Sequence, residues 1–129
     1  MITRSIVIGG DEMAGAGYEV RWAEGLPVVS APAEIDTTNA GELREALRSC
    51  TEAGHATLIV DMANTTFCDS VGMKELVQAH RDAVGAGGEV RLVIGTVSVM
   101  RVMALVGADR VLPIFASLDE ALADVAAPG

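Results

Sequence analysis

The 129-residue chain has room for one domain, and half of its residues are hydrophobic, which is enough for a sizeable core. Its net charge of -9 excludes non-specific attraction to nucleic-acid phosphates and disfavours anionic lipid surfaces. No apolar run approaches the roughly 18 residues of a membrane helix, and the N-terminus lacks a signal-peptide pattern. We therefore expect a cytoplasmic protein with reduced cysteines, no membrane partner and no direct nucleic-acid partner.

The N-terminal part of the chain is predicted to form a loose extension followed by a hairpin. Residues 1–17 contain one short apolar block and a glycine-rich connector, so they are expected to be flexible or strand-like. A hairpin is predicted over residues 18–31, where two β-forming segments flank a turn signal. These features place the folded domain at residues 18–126, with residues 127–129 as a C-terminal tail.

From residue 38 onward the hydrophobic spacing predicts helices and strands in alternation. Strands are predicted at 56–60, 90–94 and 111–115, the last at a sheet edge because it contains Pro113. The residues predicted to face inward on the four helices are Leu43, Ala46, Leu47 and Cys50; Met73, Leu76, Val77, His80 and Val84; Val99, Val102, Met103 and Val106; and Leu118, Ala121, Leu122 and Val125. The order predicts an α/β domain with four helices and a mixed, mostly parallel sheet of four to five strands.

Polar residues precede each predicted helix and are expected to cap its first turn. The candidates are Thr38 or Asn39, Asp69 or Ser70, Thr96 or Ser98, and Ser117. For the second helix the sequence leaves open whether the aspartate or the serine is the cap.

The loop after strand 56–60 carries the strongest chemical signals, since functional residues of such folds collect at the carboxyl ends of parallel strands. Asp61 ends the strand, but a phosphoaccepting receiver also needs an acidic pair after its first strand and a lysine after its last strand, and both are missing. Ser70 has no base in reach, because His80 lies about 15 Å further along the same helix. We expect Cys50 and Cys68 to be packing residues. A redox switch stays open for the case that both lie near the surface and close together.

One segment resembles a known family motif. Residues 67–72, Phe-Cys-Asp-Ser-Val-Gly, resemble the D-[ST]-x-G motif of STAS domains, especially those of bacterial anti-sigma factor antagonists. Residues 34–36, Glu-Ile-Asp, resemble the acidic motif of that family, with Ala33 in place of its glycine. Residues 102–108 and 117–122 are similar to further family stretches, so the resemblance covers almost the whole domain.

The resemblance implies a partner-switching function. In this family the serine after the aspartate is phosphorylated by an anti-sigma factor serine kinase, and a serine phosphatase reverses the modification. The unphosphorylated antagonist binds the kinase and frees the sigma factor. By position the phosphorylation site is Ser70, and the residues expected to bind the partner are Asp36, Asp69, Ser70, Val71, Gly72 and Met73. The resemblance implies no enzyme activity, no metal and no cofactor, because the kinase binds the ATP.

Two other classes of function stay open at the level of sequence. An STAS accessory subunit of a transport complex would need no phosphorylation. A small-molecule or nucleotide sensor would use a crevice of the α/β fold. The role of residues 1–17 also stays open, since this extension could add a strand or support a weak homodimer.

Overall fold

The computed structural model describes residues 18–123 and the backbone of residues 4–6. Its elements in chain order are β1 (Arg4–Ile6), β2 (Glu19–Ala23), β3 (Leu26–Ser30), β4 (Glu34–Ile35), α1 (Ala40–Glu52), β5 (Leu58–Met62), β6 (Phe67–Cys68), α2 (Ser70–Gly85), β7 (Val90–Ile94), α3 (Val97–Val106), a short 3-10 helix (Ala108–Arg110), β8 (Ile114–Phe115) and α4 (Leu118–Leu122). None of the described helices is long and apolar enough to cross a membrane.

The main sheet has six strands in the order β1-β2-β3-β5-β7-β8. The strands β1, β2 and β3 are antiparallel neighbours, and the pairs from β3 to β8 are parallel. The predicted fold class is confirmed: five strands from residue 19 onward form a mixed sheet with four helices. The strand β1 adds a sixth at one edge, and the glycine-rich connector lies outside the described residues.

Helices cover the two faces of the sheet unequally. The helices α1, α2 and α3 bury the larger hydrophobic cluster on one face, whereas α4 covers a small cluster on the other. The central strand β5 is buried on both faces, as its continuous apolar run predicts. Its neighbour β7 is buried along its whole length. The loops at the carboxyl ends of these strands therefore project from a rigid support.

Three of the predicted inward or strand positions are wrong. Val84 and Val106, each 56% exposed, lie in the last turns of α2 and α3, which the other described elements leave uncovered. Val111 is also exposed, because a 3-10 helix precedes it and β8 begins only at Ile114. The strand β8 does lie at the sheet edge, as Pro113 predicts. The inward position predicted at Val125 falls outside the described residues.

His80 has the packing role that the sequence predicts. It is buried on α2, and its Nδ1 atom accepts a hydrogen bond of 3.1 Å from the backbone N–H of Val90. This bond joins α2 to the start of β7 and fixes the unprotonated nitrogen toward the sheet. The imidazole therefore has a structural partner and is far from the exposed end of α2.

Candidate functional site

A two-stranded parallel sheet brings the two acidic motifs together. The strand β4 pairs with β6 in a register that places Glu34 opposite Phe67 and Ile35 opposite Cys68. The backbone N–H of Asp69 then donates to the carbonyl of Ile35 at 3.0 Å. Asp36 and Asp69 follow these paired residues directly, so their loops lie side by side. The site is thus a juxtaposition of segments more than 30 residues apart.

The start of α2 resolves which residue is the cap. Asp69 has an extended backbone, and its carboxylate accepts a hydrogen bond of 3.0 Å from the N–H of Gly72. Ser70 is the first residue of the helix and is exposed. None of the described residues forms a hydrogen bond with the Ser70 hydroxyl. The aspartate therefore caps the helix, and the serine hydroxyl is not used as the cap.

Gly72 allows α2 to pack tightly against the two short strands. A Cβ atom at this position would lie 2.7 Å from Cγ2 of Ile35 and 2.8 Å from Sγ of Cys68. Both distances are shorter than real Cβ contacts, so only glycine fits without a shift of the neighbours. The glycine of the D-S-x-G motif thus sets how close the first turn of α2 comes to the acidic loop.

The Asp36 carboxylate is held by its own loop. Its Oδ1 atom accepts from the N–H of Thr38 at 2.9 Å and from the Thr38 hydroxyl at 2.5 Å. The hydroxyl bond, followed by the backbone bond, lowers the pKa of Asp36, so the group is ionised at neutral pH. Asn39 does not cap α1 with its side chain. Its amide accepts from the N–H of Asp36 and donates to the carbonyl of Glu34, which braces the loop.

The loop between β5 and β6 is braced by hydroxyl groups. The Thr65 hydroxyl donates to the carbonyl of Pro32 at 2.8 Å. The hydroxyls of Thr96 and Ser98, predicted as caps of α3, donate instead to the carbonyls of Thr65 and Thr66. The start of α3 is therefore tied to the segment that leads into the Asp-Ser pair.

The partner-binding residues expected from the sequence differ in accessibility. Val71 is exposed beside Ser70, and Asp36 and Asp69 are partly exposed. Met73 is only 4% exposed and Gly72 is buried, so neither offers a side chain as a principal contact. Met73 points inward because it lies on the same α2 face as Leu76. Phe67, at 48% exposure, is an apolar surface residue that the motif did not single out.

Both cysteines are buried and unpaired. Burial raises the pKa of the Cys50 thiol to about 11. Burial, followed by the nearby Asp69 carboxylate, raises the pKa of Cys68 to about 12. A thiol with such a pKa has almost no thiolate at neutral pH, so the packing role is confirmed.

The comparison with known families identifies the class of the domain. The model of the STAS domain family matches residues 18–121, and the chain belongs to this family.

Curated relatives and solved structures resemble the chain in sequence and in shape. The chain is 29% identical over 101 residues to the anti-sigma-F factor antagonist RsfB of Mycobacterium tuberculosis, covering 78% of this chain and 82% of that protein. It is similar to the crystal structure of an anti-sigma factor antagonist from Mycobacterium paratuberculosis, with a TM-score of 0.76 and 29% identity, covering 84% and 92% of the two chains.

A transporter domain shares the fold at lower sequence similarity. The murine anion transporter Slc26a9 aligns with a TM-score of 0.65 and 18% identity, covering 95% of this chain and 22% of that one. At this identity the likeness concerns the fold alone.

Proposed function

We propose that the protein is an anti-sigma factor antagonist that acts by partner switching. In its unphosphorylated form it binds an anti-sigma factor serine kinase in the cytoplasm, which releases the sigma factor. Phosphorylation of Ser70 ends the binding, and a serine phosphatase restores it. The observation that carries the proposal is the exposed, unbonded Ser70 hydroxyl beside an Asp69 carboxylate that is already used as the helix cap. The names of the relatives support the same function.

The position of Ser70 allows phosphorylation without unfolding. A phosphoryl group adds about -1.5 to -2 charge at neutral pH. At a helix N-terminus the free N–H groups and the helix dipole favour this charge. The same charge next to Asp69 and Asp36 makes a docked interface unfavourable, since it must be desolvated near two carboxylates. The modification therefore acts on binding and leaves the fold intact.

The remaining motif residues have distinct roles in this proposal. Asp36, Asp69 and Val71 surround Ser70 and contact the partner. Gly72 sets the approach of α2 to the acidic loop, and Met73 supports the surface from below. The protein contributes no catalytic step and no cofactor of its own. A weak homodimer through the N-terminal segment stays a prediction.

The first test locates the phosphate. Affinity capture from the native cytosol with the unmodified protein is expected to yield an anti-sigma factor with kinase activity. Incubation with this kinase and ATP should add one phosphate, and mass spectrometry should place it on Ser70. Ser98 is a matched control, because it is also an exposed serine in the first turn of a helix but donates to Thr66. Phosphate on Ser98, Thr65 or Thr66 with Ser70 unmodified contradicts the proposal.

The second test either removes the hydroxyl that accepts the phosphate or imitates the charge of the phosphate. Ser70→Ala should fold and bind the kinase but resist inactivation, because Asp69 and not Ser70 is the cap. Ser70→Glu adds a carboxylate that docking must desolvate beside Asp69, which costs several kcal/mol. A loss of about 3 kcal/mol corresponds to roughly hundredfold weaker binding by calorimetry. Ala104→Glu adds the same charge at an exposed α3 residue outside the site and should bind like wild type. Equal binding by folded Ser70→Glu refutes the switch.

The same experiments distinguish the proposed function from that of an accessory subunit of a transport complex. An accessory subunit of a transport complex would co-purify with a transporter and would bind it equally well as wild type, Ser70→Ala or Ser70→Glu. Capture of a transporter with no effect of the Ser70 variants would replace the proposed function.

A further inference from the structure

An open groove runs along α2 from Ser70 toward the chain that follows α3, with a volume of about 490 Å³. The residues that characterise its lining are Ser70, Lys74 and Arg81 on α2, with the exposed valines Val71, Val106 and Val111. Among the described residues that line it, none is an aspartate or a glutamate. In a chain with eighteen acidic residues, such a lining with two cations is unusual.

The distribution of ion pairs singles out the same region. Eight of the nine basic residues lie within residues 18–123. Four of them form ion pairs with a carboxylate: Arg21, Arg44, Arg48 and Arg91. The four without a carboxylate partner among the described residues are Lys74, Arg81, Arg101 and Arg110. Two of these four, Lys74 and Arg81, line the groove, whereas Arg101 on α3 and Arg110 on the 3-10 helix lie outside its lining.

We propose, on the basis of the proposed function, that this groove docks an acidic, aliphatic segment of the anti-sigma factor. The carboxylates of that segment would pair with Lys74 and Arg81, and its aliphatic side chains would cover Val71, Val106 and Val111. Charge complementarity carries the assignment, because no carboxylate of the described residues pairs with these two cations while the apolar lining remains exposed. The net negative charge of the chain would repel such a segment from most of the remaining surface.

The groove also connects docking to the modification site. Ser70 and Lys74 are four residues apart on α2 and both line the groove. Side chains at this spacing are neighbours on a helix surface. A phosphoryl group on Ser70 therefore pairs with Lys74 and competes with the partner's carboxylate for the same cation. Phosphorylation then removes an attractive contact as well as adding a repulsive one.

Charge reversal tests the groove with the captured anti-sigma factor as the probe. Lys74→Glu and Arg81→Glu should each weaken its binding about tenfold by calorimetry and reduce the dependence of affinity on salt concentration. Arg101→Glu is the matched control, since it makes the same change in net charge at an exposed α3 residue outside the groove lining. It should bind within twofold of wild type, and circular dichroism should show that every variant is folded.

A zero-length cross-link gives a second readout, because Lys74 is the only lysine of the chain. A carbodiimide should join its amine to a carboxylate of the bound anti-sigma factor, and mass spectrometry should identify an acidic, aliphatic peptide as the partner. Lys74→Arg should retain the affinity and lose this cross-link.

The outcomes separate the inference from the proposed function. If wild type binds the anti-sigma factor but Lys74→Glu and Arg81→Glu bind equally well, the groove inference is overturned and the proposed function stands. An equal loss in all three reversals, including Arg101→Glu, would mean a general charge effect and also overturns it. A cross-link at Lys74 to a segment without further acidic residues overturns the assigned partner chemistry. If wild type does not bind at all, both proposals fail.

Discussion

Replacement of Gly72 by alanine tests the packing that positions the Asp-Ser pair. The added Cβ would lie 2.7 Å from Ile35 and 2.8 Å from Cys68, whose side chains are fully buried. Ordinary carbon contacts lie at about 3.5 to 4.0 Å, so at least two core side chains must shift. Overpacking of this kind costs about 1–3 kcal/mol.

The helix preference of alanine offsets part of this cost. Alanine is favoured over glycine by about 1 kcal/mol within a helix, so the net loss for Gly72→Ala is about 0–2 kcal/mol. Gly85→Ala is the matched control, because it lies in the same helix and a Cβ there meets no atom within 4 Å. Gly85→Ala should be neutral or stabilising by up to about 1 kcal/mol.

Urea denaturation measures the difference, with the fluorescence of Trp22, the only tryptophan, as the signal. We expect Gly72→Ala to be about 1–3 kcal/mol less stable than Gly85→Ala and to bind the anti-sigma factor more weakly, because the turn that carries Ser70 is displaced. The domain should still fold, since typical stabilities are about 5–15 kcal/mol. Equal or greater stability of Gly72→Ala would refute the packing argument.

Three further predictions concern the cap, the thiols and the acidic loop. Asp69→Ala should lower the free energy of unfolding, measured in urea, by about 0.5–2 kcal/mol, because it removes the cap. Asp69→Asn should retain most of this stability, because its amide oxygen can still accept the hydrogen bond. Equal losses in the two variants would show that the cap hydrogen bond does not stabilise the domain. Thiol counting in urea should find Cys50 and Cys68 as two free thiols, and a stoichiometric disulfide would contradict this. In the native state at pH 8 both should react very slowly with Ellman's reagent, because burial raises their pKa values to about 11 and about 12. Thr38→Val should raise the pKa of Asp36 in an NMR titration, because the hydroxyl bond is the main cause of its lowered value. A folded-state pKa below the unfolded value contributes stability above the unfolded pKa of about 4. The stability advantage of wild type over Thr38→Val should therefore be present at neutral pH and be lost progressively as the pH falls from about 4 through the lowered folded-state pKa. An advantage that persists in acid would show that Thr38 acts by packing.

The sequence predicted which face of a helix is apolar better than it predicted how far neighbouring elements cover that face. Spacing correctly placed Met73, Leu76 and His80 inward on α2, because a period of 3.6 residues reports which side is apolar. The same period includes Val84 and Val106, which are exposed. Periodicity does not show where the neighbouring element ends, and only tertiary packing decides whether the last turn is covered.

The site was predictable in its motif but not in its geometry. Asp69 and Ser70 both have oxygen atoms suited to capping, and only the extended backbone at Asp69 assigns the role to the aspartate. The strands β4 and β6 have two residues each, which is too short for any alternating pattern. Thr96 and Ser98 bond to a loop about 31 residues away, and such long-range partners leave no local signal in the sequence.

The pairing of β4 with β6 also affects the thermodynamics of binding. Both acidic loops are fixed in the free protein, one by the Asp69 N–H bond to Ile35 and the other by the hydrogen bonds around Asp36. A partner that contacts both loops therefore does not have to restrict their backbone motion at the moment of association. Ordering an interface residue that is mobile before binding costs about 0.5–1.5 kcal/mol. A surface that is already ordered in the free protein avoids this cost, so it binds more tightly than a mobile surface with the same contacts. We expect this surface to associate with a small unfavourable conformational entropy and little change in its own backbone.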